Sequence, residues 1–369
     1  MTESVHIILS ASAVGGMEKR LSGLFLHLVQ RGEDVRLVAP RALVEALGES
    51  AEHGGLLDHG ERLHLLDCDA TDPRFRERVG EVVARSPDGV FHYCLASPFR
   101  LHRARTKRTL YTIPNASLSQ YSARGLLDVY GGILRSTRVD VLDPNVFATL
   151  SRRFPWRRGS FSLTPGSYVD LDRFAPLPAA EREDAIVFLG LFSDEKQAPR
   201  LVEQIPDLVR ALEAGGVAAP RVWLMGRDSG DVSVTDRVAR LGDPRVRAWL
   251  ERDPARVLPR AKVFLSLQRS TNHPSKSLLE AMACGLTPVV TDTRDSRRSA
   301  PERLAEYVPR DFTAADLAQA CLKVLRRGDD AIDARTTEMR AFLERHFSME
   351  SMATYYRLLF EQLRALPPR

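Results

Sequence analysis

Lys276 and Glu280 stand one helical turn apart at the mouth of an oily stretch, in residues 272–293, NHPSKSLLEAMACGLTPVVTDT. Leu278, Leu279, Ala281, Met282 and Ala283 leave almost no polar face on a short helix of about 278–284, which Gly285 closes. Such a helix must be buried. Its first N–H groups have no partner within the helix, so its N-terminus, around Ser277 and Leu278, points out of the core and favours an anion. Lys276 adds positive charge there. Glu280 can accept hydrogen bonds from a diol such as a ribose, and a nucleoside diphosphate offers both groups. Ser277 and Glu280 also have the Ser-x-x-Glu spacing of a capping box, in which both side chains satisfy the helix's own donors. Local sequence leaves both roles for Glu280 open.

Other residues with chemical potential lie just after apolar runs. Gly15 and Gly16 follow VHIIL and open an amphipathic segment, where bare backbone can approach an anion or simply make a tight turn. The run is not GxGxxG, so it carries no dinucleotide fingerprint. Glu18, in the first turn, can answer the helix dipole. Lys196 lies six residues after Gly190 in FLGLFSDEKQAPR, where a lysine beyond a strand end can hold a phosphate or be merely solvated.

These positions require an α/β framework. Residues 5–40 read strand, helix, strand, with Met17, Leu21, Leu24, Phe25, Leu28 and Val29 on one helical face and Gly32 as a stop. Further strands are expected at 89–95, 108–113 and 139–144. A proline-rich stretch, 173–184, reads as a linker. Strands then recur at 185–190, 221–226, 261–267 and 287–292, alternating with helical stretches. The pattern predicts two Rossmann-like, doubly wound parallel-sheet domains, 1–172 and 173–348, facing across a deep cleft. Residues 348–366 predict an amphipathic helix, with Met349, Met352, Tyr356, Leu359 and Leu363 along one side.

Bulk properties agree with two soluble globular domains. The chain has 369 residues, 44% hydrophobic and 27% charged. Four scattered cysteines lack metal-like spacing and fit a reducing cytoplasm. The N-terminus lacks the pattern of a signal peptide, and no apolar run reaches the roughly 20 residues of a membrane span. The expected location is therefore cytoplasmic, extending to the inner face of a membrane. Net charge is +5, with clusters at 102–108 (HRARTKR) and 152–158 (RRFPWRR). Each cluster is either a solvated surface or an attraction for an anionic membrane face or lipid-linked acceptor, and the Phe154–Pro155–Trp156 interruption suits a lipid interface. Aromatic interleaving of the kind that binds nucleic acid is absent from the sequence, which argues against that partner.

The sequence resembles the GT-B glycosyltransferases, specifically the retaining family 4. GGMEKRLSGLFLHLVQRGEDVRLVAP is similar to that family's glycine-rich loop and first helix, LTPGSYVDLDRFAP (163–176) to its domain junction, and IVFLGLFSDEKQ to its GRLxxxKG segment. SLLEAMACGLTPVVTD nearly repeats its signature, and the last helix is similar to the one that crosses back to the N-terminal domain. The resemblance implies a nucleotide-sugar donor on the second domain, an acceptor (glycan, glycolipid or natural product) on the first, transfer with retention, and no cofactor or obligatory metal. It places Glu280 at the ribose. Lys196, Ser277, Leu278 and the Gly15–Gly16 loop fall at the diphosphate, with Lys276 beside it, and Arg252 in the base-recognition segment 250–253. Gly190 and Gly226 complete the donor side. Lys196, Asn272 and Glu280 are the catalytic candidates, and Glu18, Pro114 and Asn115 face the acceptor.

The departures are specific. The glutamate the family carries eight positions before the ribose ligand is Asn272 here, the arginine after the glycine of GRL is Leu191, and Pro114 or Asn115 replaces an expected histidine. They imply either an uncommon donor sugar or a degenerate GT-B protein that binds a nucleotide, a glycan or a partner glycosyltransferase.

Overall fold

The structure is a computed structural model and describes residues 3–49, 53–101, 106–114, 118, 121–229, 233–270, 275–293 and 295–367. Thirteen strands are present among them: β1 Val5–Leu9, β2 Val35–Pro40, β3 Leu63–Leu66, β4 Val90–Cys94, β5 Thr109–Ile113, β6 Arg138–Val141, β7 Phe161–Leu163, β8 Glu183–Phe192, β9 Arg221–Asp228, β10 Val246–Trp249, β11 Ala261–Ser266, β12 Thr287–Thr291 and β13 Glu306–Val308. The α-helices are α1 Gly16–Gln30, α2 Arg41–Gly48, α3 Pro73–Arg85, α4 Pro98–Leu101, α5 Ala123–Arg135, α6 Pro144–Arg153, α7 Ala198–Ala214, α8 Val234–Leu241, α9 Lys276–Ala283, α10 Ser296–Ser299, α11 Ala314–Leu325, α12 Asp329–Phe347 and α13 Met349–Arg364.

The chain forms two compact units, residues 1–166 with 349–369, and residues 167–348. The first carries a seven-stranded sheet in the order β3-β2-β1-β4-β5-β6-β7, the second a six-stranded sheet in the order β10-β9-β8-β11-β12-β13. Every neighbouring pair is parallel. Central strands such as β1, β4, β5 and β12 are buried along their whole length, as expected of strands covered on both faces. Strand order reverses between β1 and β4 in one sheet and between β8 and β11 in the other, so each unit has one switch point of the kind where doubly wound sheets take ligands. No described helix is long and apolar enough to cross a membrane.

The sequence missed β3, β7, β10 and β13. They are outer strands of three or four residues, partly solvated and too short to show a period. It also read 173–184 as a linker. That segment belongs to the second unit, which begins at Ser167: Val169 N–H donates to Phe347 O (2.9 Å), and Arg340 donates to Leu171 O (3.0 Å) and Phe174 O (2.9 Å).

In the first unit, α13 buries Met352, Ala353, Tyr356, Leu359, Phe360 and Leu363. A buried polar chain fixes its register. The Asp140 carboxylate accepts from Tyr355 Oη (2.6 Å), Tyr356 Oη (2.8 Å) and Thr112 Oγ1 (3.0 Å). Because the Thr112 proton goes to Asp140, His92 Nε2 donates to Thr112 Oγ1 (2.8 Å). Arg20, 1% exposed, donates to Thr164 Oγ1 (2.5 Å) and Tyr356 Oη (3.0 Å). Burial drives the His92 pKa down to about 3, so the ring is neutral at pH 7. A buried charge this well bonded specifies one arrangement of α1, the sheet and α13, since breaking one partner leaves another unsatisfied.

Candidate functional site

In the second unit the candidate residues gather at the switch point. β8 ends in the loop that carries Lys196, β11 leads into α9, and the two strands are neighbours. Lys196 and Ser277 line one small cavity with Gln268, beyond the carboxyl ends of β8 and β11. Glu280 is buried, 9% exposed. Burial lowers the Lys196 pKa from its ordinary value, and the nearby Glu280 charge works against that shift. A cation and a carboxylate therefore share a poorly solvated corner with the first turn of α9.

Three local devices hold that corner. Glu195 stitches the two loops together, its carbonyl accepting from Arg269 N (2.9 Å) and its carboxylate from Ser270 N (2.9 Å). Sequence reading missed Glu195, because its partners are 74 and 75 residues away. Gly190 has φ +150°, open to glycine alone, and a Cβ there would lie 2.4 Å from Lys196 Nζ. Its register partner Gly226 is needed for the same close approach, since a Cβ on it would meet Gly190 O at 1.8 Å. These two glycines shape the strand ends on which the Lys196 loop rests.

The third device is at the far end of α9. Gly285, at φ +84°, turns the chain, and Arg182 Nη1 donates to its carbonyl (2.6 Å). Arg340 Nη1 donates to Ala283 O (3.0 Å). Two arginines thus answer the negative end of the helix dipole.

The N-terminal end differs from the expectation in register. α9 begins at Lys276, with Ser275 as N-cap, two residues earlier than expected. Glu280 is then the fifth helical residue and Leu278 the third, so the Ser277–Glu280 capping box does not form. The Ser275 side chain makes no capping hydrogen bond, and its Oγ lies 3.4 Å from Ser277 Oγ. Lys276 at the first helical position places Nζ 5.1 Å from the Tyr168 ring centroid, a cation–π contact that holds the ammonium beside the helix tip. Arg252 is exposed in the loop after β10. Leu191, where an arginine was expected, is 37% exposed. Asn272 and Asn115 lie outside the described residues.

In the first unit the corresponding helix tip is closed from within. Glu18 is the third residue of α1, and its Oε2 accepts from Gly15 N (2.9 Å) while 4% exposed. Burial raises its pKa. The expected offer of Gly15 N–H to an anion is thereby corrected, because Glu18 already occupies it. Gly16 faces open space, and Pro114 follows β5 and is half-buried. Ser10 ties the loops after β1 and β4, donating to Cys94 O (2.8 Å) and accepting from Ala96 N (2.9 Å). No group of three His, Cys, Asp or Glu side chains among the described residues is placed to hold one metal ion.

The fold is GT-B: two parallel-sheet α/β units, each with one switch point. Residues 183–327, most of the second unit, match the family described as glycosyl transferases group 1. Similar solved structures include a sucrose-phosphate synthase from Thermosynechococcus elongatus (18% identity, TM-score 0.71, covering 98% of this chain and 99% of that one). HepE from Anabaena, solved in complex with UDP and glucose, is 12% identical with TM-score 0.70 over 99% of this chain and 100% of its own. A glycosyltransferase from Rickettsia africae ESF-5 is 12% identical with TM-score 0.66 over 99% of both chains. None of the curated proteins matches the sequence. The resemblance to GT-B glycosyltransferases read from the motifs stands in the fold and, over residues 183–327, in the family match.

Proposed function

We propose that the chain is a retaining glycosyltransferase that takes a nucleotide-sugar donor on its second unit and an acceptor at the carboxyl end of its first sheet, near Glu18 and Pro114. The observation that carries this is the meeting of Lys196, Glu280 and the start of α9 at the β8–β11 switch point. Lys196 and the α9 tip neutralise the departing diphosphate, which is the main electrostatic demand of donor cleavage. Glu280 takes the ribose hydroxyls. The α9 dipole, Lys196 and Lys276 supply the positive charge, so turnover needs no metal and survives chelation. One neighbouring structure holds UDP-glucose, which makes uridine nucleotides the first donors to test.

Leu191 and the internally capped Gly15 favour a second reading, a nucleotide- or glycan-binding GT-B protein without turnover. Incubating the protein with a panel of nucleotide sugars separates the two. Slow donor hydrolysis that disappears in Glu280→Ala supports the transferase. Nucleotide binding without hydrolysis or transfer for any donor overturns it.

A further inference from the structure

Among the described residues, Lys107 from one basic cluster of the sequence and Trp156 and Arg157 from the other line one cavity of the folded first unit. This cavity, of about 1090 Å³, lies where β5, β6 and β7 begin, at the opposite end of the sheet from the switch point. Strand β5 spans five residues, which separates its two ends by roughly 15 Å. Lys107, Arg135, Arg138 and Arg157 line the cavity, and none of its described lining residues is an aspartate or glutamate. Trp156 and Leu134, 71% and 56% exposed, form an apolar lip.

Most polar groups in the wall are already engaged. Arg138 Nη1 donates to Gly159 O (2.7 Å), Ser160 Oγ donates to Arg157 O (2.7 Å), and Thr109 Oγ1 accepts from Thr137 N (2.9 Å). Two are not. Ser136 is 1% exposed, and its Oγ has no hydrogen-bond partner; Arg157 Nε is likewise buried and unpaired, although the same guanidinium donates to Ser136 O. Unsatisfied buried donors are costly and rare, so each points to a group that completes it. Burial also lowers the Arg157 pKa, with no carboxylate acting against that shift. Cations without acids, two orphaned donors and an apolar lip together describe the complement of a phosphate ester attached to a less polar body.

We propose that this cavity binds a phosphate ester, with Ser136 Oγ, Arg157 Nε, Arg138 and Lys107 around the phosphate oxygens and Trp156 against the attached group. The site is separate from the proposed donor and acceptor positions. Its ligand is either a soluble phosphomonoester or the headgroup of an anionic lipid, which share this chemistry.

The test uses the full chain and Trp156 emission, with Trp156→Phe as the background control for Trp223 and Trp249. The probes are glycerol 3-phosphate in solution, vesicles of equal parts phosphatidylglycerol and phosphatidylcholine, and vesicles of phosphatidylcholine alone. Saturable binding of glycerol 3-phosphate assigns the site to a soluble ester. Binding confined to the anionic vesicles assigns it to a lipid headgroup. In either case Ser136→Ala and Arg138→Gln each weaken binding by roughly tenfold, the loss of one charge-assisted hydrogen bond. Ser136 Oγ bonds nothing in the fold, so Ser136→Ala leaves the melting temperature unchanged and reads the ligand alone. Failure to bind glycerol 3-phosphate or anionic vesicles overturns the proposal. Binding that Ser136→Ala and Arg138→Gln leave intact overturns it equally.

Discussion

The two units solve the same topological problem with opposite chemistry at a helix tip. Each has a switch point, and each stitches its two loops there with one side chain, Ser10 in the first and Glu195 in the second. The helix after β1 carries Glu18 at its third position, and that carboxylate turns back onto Gly15 N–H. The helix after β11 carries Leu278 there, begins with a lysine, and holds its carboxylate two residues further on, beside Lys196. One tip is sealed by its own acid. The other spends its acid on the site, and Arg182 and Arg340 anchor its far end instead. A carboxylate moved from the third to the fifth helical residue thus separates a structural cap from the proposed ribose-binding group.

Substitutions can break that contrast, and Lys196→Ala is the most severe. Removing the cation proposed to face the leaving diphosphate is expected to lower kcat by about 10²–10³, the range for one preorganised electrostatic group, as measured by steady-state transfer. Lys196→Arg retains the charge and gives a pH test. Desolvation lowers the pKa of this half-buried lysine, so its charge, and with it nucleotide affinity, is present at low pH and lost as pH rises through that lowered value. The arginine variant keeps its affinity across the same alkaline range, which titrations at several pH values check.

Glu280→Ala is expected to weaken nucleoside diphosphate binding by roughly 10- to 100-fold, the loss of hydrogen bonds to a charged acceptor. Gly190→Ala strains a φ reserved for glycine and pushes Lys196 Nζ aside, at a cost of about 1–3 kcal/mol, seen as a lower melting temperature together with a lower kcat. Smallest is Glu18→Ala, which removes one cap and lowers stability by about 1 kcal/mol in denaturant melts, with nucleotide affinity unchanged.

Much of this contrast was legible in the residue order. The apolar stretch 278–283, the glycine at 285 and the strand at 287–291 gave the buried helix and the βαβ pattern around it, because local period and turn chemistry suffice there. The helix start was misread by two residues: SxxE matches a capping box by spacing, yet the chain enters the helix at Ser275. Glu195 and the two arginines behind α9 were invisible, since each acts on backbone from a distant segment. The basic clusters were readable as a solvated surface or an attraction for an anionic face, but the approach of Lys107 and Arg157 to Ser136 depends on the order β5-β6-β7, which no local pattern encodes.

The most direct measurement is a calorimetric titration of UDP into the native chain, Glu280→Ala and Glu18→Ala under identical conditions. The account predicts that UDP binds the native chain, that Glu280→Ala loses at least tenfold in affinity, and that Glu18→Ala binds as the native chain does. Native affinity in Glu280→Ala, or an equal loss in both variants, would contradict it.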